Sequence, residues 1–195
     1  MGQDEVLLKS DHPKVADDWS LDGRFILYRD QDPKTGSDLW ILPLTGDRKP
    51  QPVVQTPFSE IQGRFSSDGR WIAYVSNESG VDQVYVQSFP PSGTKYQIST
   101  TGGYQPRWRR DGKELFFISD AREVMAVEVS TSKNGVFQAG LPRKLFQANP
   151  VAVLTPRNSW DVTPDGQRFL INSVSSTTAA LFTSITVVIN WMAQQ

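Results

Sequence analysis

Short apolar runs recur along the chain: Phe25-Ile26-Leu27-Tyr28, Trp71-Ile72-Ala73-Tyr74-Val75, Leu115-Phe116-Phe117-Ile118 and Phe169-Leu170-Ile171. They are continuous rather than alternating, the pattern of strands covered on both faces. Each follows an Asp-Gly pair, at Asp22-Gly23, Asp68-Gly69, Asp111-Gly112 and Asp165-Gly166. Glycine there supplies the positive φ of a tight hairpin, and the Asp carboxylate can accept hydrogen bonds from nearby backbone amides. A further strand is predicted after each hairpin, at Asp38 to Leu42, Gln83 to Val86, Glu123 to Val127 and Ile185 to Ile189, with outer strands at Gln51 to Gln55, Tyr96 to Ser99 and Arg143 to Phe146. The fourth set lacks an outer strand. Sustained helical periodicity is absent, so the class is all-β.

The hairpins belong to one repeated unit: Trp19-Ser20-Leu21-Asp22-Gly23-Arg24-Phe25, Phe65-Ser66-Ser67-Asp68-Gly69-Arg70-Trp71, Trp108-Arg109-Arg110-Asp111-Gly112-Lys113 and Val162-Thr163-Pro164-Asp165-Gly166-Gln167-Arg168-Phe169. The Asp-to-Asp intervals of 46, 43 and 54 residues match the roughly 40–50 residues of a four-stranded propeller blade. An insertion in Lys133 to Arg157 accounts for the long interval. The expected fold is a β-propeller of four blades, each a four-stranded antiparallel sheet, within a single domain over 1–195. The blades fall at approximately 11–56, 57–100, 101–149 and 150–195. Glu5 to Lys9 reads as an orphan strand able to complete the fourth blade, closing the ring and removing two exposed edges.

The Trp/Phe-Ser-x-Asp-Gly-Arg unit followed by Asp38-Leu39-Trp40 resembles the TolB-like propeller repeat, a bacterial relative of the WD repeat. More narrowly, Asp38 to Leu44, Gly69 to Gly80, Gln105 to Leu115 and Ile185 to Trp191 resemble the C-terminal propeller of bacterial membrane-anchored serine/threonine protein kinases. That resemblance implies a sensing or interaction module, outside the cytoplasm, on a membrane-anchored parent. It implies no catalytic residue, because the chain has neither Gly-x-Gly-x-x-Gly nor His-Arg-Asp. Propellers of this kind usually have more than four blades, which leaves open a fragment, a naturally short version or half of a dimeric ring; a monomer is slightly favoured.

Charge and composition narrow the function classes. Lys plus Arg is 20 against 21 Asp plus Glu, which argues against a nucleic-acid binder. Arg107-Trp108-Arg109-Arg110 is locally basic, but a strand there buries Trp108 and alternates the arginines. No Cys is present and His12 is the single His, so thiolate metal sites, thiol nucleophiles and two-His centres have no residues to use. No Gly-x-Ser-x-Gly elbow occurs. The apolar run Ile185 to Ile189 is far shorter than the roughly 20 residues that cross a bilayer, so no membrane insertion is expected. Asp30, Asp32 and Asp38 lack the glycine and terminal glutamate of a calcium loop and read as solvated turn acids. Catalytic, cofactor and metal assignments are therefore none.

Aligned on the Asp-Gly, Asp18, Arg64, Arg107 and Asp161 share one repeat position in or near the innermost strands, which line a propeller's channel. They read either as two ion pairs, Asp18 with Arg64 and Arg107 with Asp161, or as a polar ring that grips a protein, peptide or small-molecule ligand, with Asp17, Gln62 and Gln105 beside it. Trp19, Phe65, Trp108 and Val162 occupy the next slot and read as inter-blade core. Trp160 is out of that register and is the tryptophan assigned to the binding surface. The expected function is a non-catalytic binding or sensing propeller. The alternatives are a propeller-type hydrolase, glycosidase or peptidase-associated, and a TolB-like envelope scaffold.

Overall fold

The computed structural model describes residues 5–150, 158–174 and 183–189, and the helices and strands within them are all strands. Strands β1 (Lys14–Trp19), β2 (Phe25–Asp32), β3 (Gly36–Pro43) and β4 (Gln51–Val54) form antiparallel sheet 1 in that order. Sheet 2 repeats the plan with β5 (Glu60–Phe65), β6 (Trp71–Ser76), β7 (Gln83–Ser88) and β8 (Lys95–Gln97). Sheet 3 has β9 (Tyr104–Trp108), β10 (Glu114–Ile118), β11 (Glu123–Thr131) and β13 (Arg143–Gln147), while β12 (Phe137–Ala139) pairs with the far end of the long β11. Sheet 4 has β14 (Trp160–Val162), β15 (Arg168–Val174) and β16 (Thr183–Ile189).

The Asp-Gly hairpins join the first two strands of each sheet. Ser20 Oγ donates to Asp22 Oδ1 at 2.8 Å, and the Arg24 N–H donates to the same oxygen at 3.0 Å. Arg24 Nε donates to the other oxygen at 2.6 Å, while Gly23 turns the chain at φ 75°. These donors favour the ionised acid: the Arg24 amide, then Ser20, hold Asp22 down at about 2. Ser66, Asp68 and Arg70 repeat the arrangement, Thr163 and Asp165 reproduce its core, and at the third turn Arg109 grips Asp111 directly. The turn reading of the four Asp residues is thus what their bonds show.

Successive sheets stack face to face. Leu27, Leu39 and Ile41 of sheet 1 pack with Phe65, Ile72 and Tyr74 of sheet 2. Val75, Val84 and Val86 meet Leu115, Phe117 and Val127 of sheet 3, and Phe116, Ile118 and Leu145 meet Trp160, Phe169 and Ile171 of sheet 4. Strand β6 is buried at all six positions because a sheet lies on each side of it. Gly63 marks a close approach of sheet 2 to sheet 1: a Cβ there would stand 2.6 Å from Leu27 Cδ2.

Two expectations need correction. Residues 5–9 form no strand: Val6 is 70% exposed, and Glu5 accepts a bond from Arg48 Nη1 at 2.8 Å, which ties the segment to the β3–β4 turn of sheet 1 instead of the edge of sheet 4. The ring closure drawn through that segment is therefore not found. Nor is every middle strand covered twice. Phe169 and Ile171 are buried against sheet 3, whereas Leu170 between them is 48% exposed, because the far face of β15 is open to solvent. The predicted fourth unit, 150–195, and the long insertion lie partly outside the described residues.

Candidate functional site

The innermost strands β1, β5, β9 and β14 converge on a cleft of about 680 Å³. Its wall includes Asp18, Trp19 and Leu21 from sheet 1, Arg64 from sheet 2, Arg107 and Arg110 from sheet 3, and Asn158, Asp161, Leu170 and Asn172 from sheet 4. All four residues of the expected ring therefore line one cavity.

Irregular pairing in the inner strands aims these side chains. The ladder slips between Ala16 and Asp18 in β1 and between Ile61 and Arg64 in β5, and β9 slips against β10 between Phe116 and Ile118. Gln62 and Gln105 sit at φ 59° and 51°, left-handed values typical of a bulge. The bulges send one polar side chain of each sheet sideways into its neighbour. Asp17 Oδ2 accepts the Gly63 N–H at 3.1 Å, Gln62 Oε1 accepts the Gln105 N–H at 2.7 Å, and Gln105 Oε1 accepts the Ser159 N–H at 3.0 Å. Asp17, Gln62 and Gln105 are thus latches between consecutive sheets, and of the three Asp17 also lines the cleft. The recurrence of Gln at one repeat position, 62 and 105, was the visible signal.

The ring residues divide unevenly. Arg107 is buried and its Nε lies 3.6 Å from Asp161 Oδ1, so that ion pair forms. Arg107 also donates to the carbonyls of Pro106 and Trp160, at 2.8 and 3.2 Å. Burial, then the neighbouring Arg64 charge, pull its guanidinium down to about 9, which leaves it cationic at neutral pH. Asp18 and Arg64 take other direct partners: Asp18 Oδ2 accepts the Phe65 N–H at 2.8 Å, and Arg64 Nη2 donates to Asn158 Oδ1 at 2.8 Å. Burial pushes the Asp18 carboxyl up, against the opposing charge of Arg64. The same burial raises Asp17, opposed first by Arg29, whose Nη2 is 3.0 Å away.

Trp160 and Trp19 both line the cleft, but their exposures are the opposite of those expected. Trp160 is 3% exposed, stacked on Phe169 at 6.1 Å with Arg107 5.6 Å over its ring, because alternation along β14 turns it into the joint with sheet 3. Trp19, expected in the core, is 61% exposed at the cleft mouth. Phe65, Trp108 and Val162 each pack back onto the sheet before them, and the equivalent face beside Trp19 is open. The acids weighed for calcium have separate partners: Asp30 is bound to Lys14 at 2.5 Å, whereas Asp38 is fully buried and accepts the Thr35 hydroxyl.

No protein-family model matches the chain, and no curated protein sequence matches it. Solved structures do. TolB from Acinetobacter baumannii superposes with a TM-score of 0.69 at 16% identity, over 95% of this chain and 43% of that one. An oligogalacturonate lyase in complex with manganese gives 0.63 at 17%, over 88% and 48%. The β-propeller domain of the Trilobed protease from Pyrococcus furiosus, described as having an open velcro topology, gives 0.54 at 12%, over 92% and 55%. At these identities the likeness shows the fold, a TolB-like β-propeller, and this chain spans about half the length of each of these proteins or less. Nothing in it supports a sensor attached to a kinase.

Proposed function

We propose that the four sheets are consecutive blades of a non-catalytic binding propeller, and that its ligand or protein partner seats in the cleft at the inner strands. The observation that carries this reading is the division of labour among the cleft residues. Arg107 and Asp18 are committed to holding the wall, whereas Trp19, Leu21 and Asp161 stand exposed at 61%, 65% and 72% and contribute little to the core. An indole and an aliphatic face beside fixed charges form a surface that gains from covering by a ligand. The extracytoplasmic location implied by the repeat's resemblance belongs to this proposal.

An enzyme is the second reading, favoured by the likeness to an oligogalacturonate lyase. It would have to work with carboxylates and arginines, since neither a cysteine nor a histidine lines the cleft. One comparison tests both readings. A phage-displayed random peptide library and an oligogalacturonate series are applied to the wild-type chain and to Arg64→Glu, with Arg24→Glu as an exposed control. Ligand retained by wild type and Arg24→Glu, lost in Arg64→Glu at an unchanged melting temperature, supports binding. Shortening of the oligogalacturonate, or release of peptide products, overturns the non-catalytic reading.

A further inference from the structure

Arg64 stands on the cleft wall with no carboxylate bound to it. Its hydrogen bonds go to neutral oxygens, from Nη1 to the Gly63 carbonyl at 3.0 Å and from Nη2 to Asn158 Oδ1 at 2.8 Å. Its Nε–H and one N–H on each terminal nitrogen are left without an acceptor among the described residues. The side chain is only partly buried, so these donors face a cleft that solvent enters. Arg110, on the same wall, is exposed and likewise forms no ion pair among the described residues.

The charges of the wall do not cancel. Asp17 is paired with Arg29 behind it and Asp161 with Arg107, at 3.0 and 3.6 Å. What remains is Asp18 against Arg64 and Arg110, a single positive charge in excess. Asp18 cannot serve as a bonded partner for both, since its Oδ2 already accepts the Phe65 N–H. A monoanion therefore balances the wall, whereas a phosphate group would bring about two negative charges. A carboxylate also matches the planar fork of a guanidinium, and a charge-assisted bond of this kind is stronger than a neutral one.

The same cleft presents Trp19, Leu21 and Leu170, all exposed, which gain from an apolar cover. Its volume of about 680 Å³ falls within the roughly 300–1,000 Å³ of pockets that take small ligands. We propose that the cleft ligand is a monocarboxylate with an apolar group beside the carboxylate, that Arg64 receives the carboxylate, and that Trp19, Leu21 and Leu170 cover the apolar group. A peptide C-terminus ending in an apolar residue and a free apolar acid share this chemistry. The Arg107 guanidinium registers the same need: after burial, the charge of Arg64 is what pulls it down, and an anion on Arg64 relieves that repulsion. The assignment rests on the binding reading of the cleft and adds the identity of what is bound.

Nitrogen-15 NMR of the full chain, following the Arg64 Nε and Trp19 indole signals, tests it with N-acetylphenylalanine, its uncharged amide, phenylpropionate and galacturonate. N-acetylphenylalanine should shift both signals and bind about tenfold or more tighter than its amide. That advantage should vanish in Arg64→Gln and shrink as salt is raised; if Arg64→Gln does not fold, the comparison of acid with amide on wild type decides alone. Phenylpropionate bound as tightly as N-acetylphenylalanine supports a free acid as the source, and weaker binding supports a peptide C-terminus. Equal binding of acid and amide overturns the carboxylate anchor while the cleft stays a binding site. Galacturonate bound as tightly as the apolar acids overturns the apolar half. No shift of Arg64 or Trp19 with either apolar acid overturns the proposal, whereas the binding reading falls only if the peptide library and the oligogalacturonates also leave both signals unmoved.

Discussion

Replacing Gly63 by alanine puts a methyl group where sheet 2 packs tightly on sheet 1. The added Cβ would lie 2.6 Å from Leu27 Cδ2, 3.2 Å from Leu27 Cγ and 3.2 Å from Leu39 Cδ2. Two of these atoms belong to one side chain with no exposed surface, in a core that also holds Phe65 and Ile41, so Leu27 has no vacant space to move into. Overpacking of this kind costs about 1–3 kcal/mol. For a domain of this size that is a fall in melting temperature of about 2–12 °C. Thermal unfolding followed by circular dichroism measures it, with Gly140→Ala as a control, since a Cβ there meets nothing nearer than 3.6 Å. Leu27→Val should relieve the clash, so the double variant should lose less than the sum of the single losses. A Gly63→Ala chain that melts with wild type, or additive losses in the double variant, would refute the close packing of β5 on sheet 1.

The two cleft tryptophans should separate: Trp19→Ala changes stability by less than about 0.5 kcal/mol, whereas Trp160→Ala, which empties the joint between sheets 3 and 4, costs about 3–5 kcal/mol, both read in urea. Gln105→Ala leaves the buried Ser159 N–H without its acceptor and should cost about 1–3 kcal/mol, with faster amide exchange at Ser159 as its local mark. Within 1–9 the described residues, 5–9, form no strand and hold one surface ion pair to Arg48, so the melting temperature should hold when 1–9 is removed; a large drop would restore a closing role to that segment.

Much of the architecture was legible because it rests on local chemistry that repeats. Asp-Gly followed by an apolar run specifies a hairpin wherever it occurs, and four copies at blade-length spacing specify a stack of sheets. The position of Asp18, Arg64, Arg107 and Asp161 was readable for the same reason, since one repeat position lands at one place in every sheet. What each does was not. The bulges at Gln62 and Gln105 turn a polar side chain sideways into the next sheet, and a period of two contains no sign of a slipped ladder. Trp19 and Phe65 are equivalent in the repeat, yet one is exposed and the other buried, because burial depends on whether a sheet precedes them.

The central claim is that the inner-strand cleft binds without reacting. The six tryptophan indole N–H groups give a direct reading of it in nitrogen-15 NMR, with the library-selected peptide and the oligogalacturonate series titrated in turn. A bound ligand should shift Trp19 and the Arg64 Nε signal, leave the buried Trp71, which does not line the cleft, unmoved, and be recovered chemically unchanged. Shifts that spare Trp19 and Arg64, or recovery of a cleaved ligand, would contradict it.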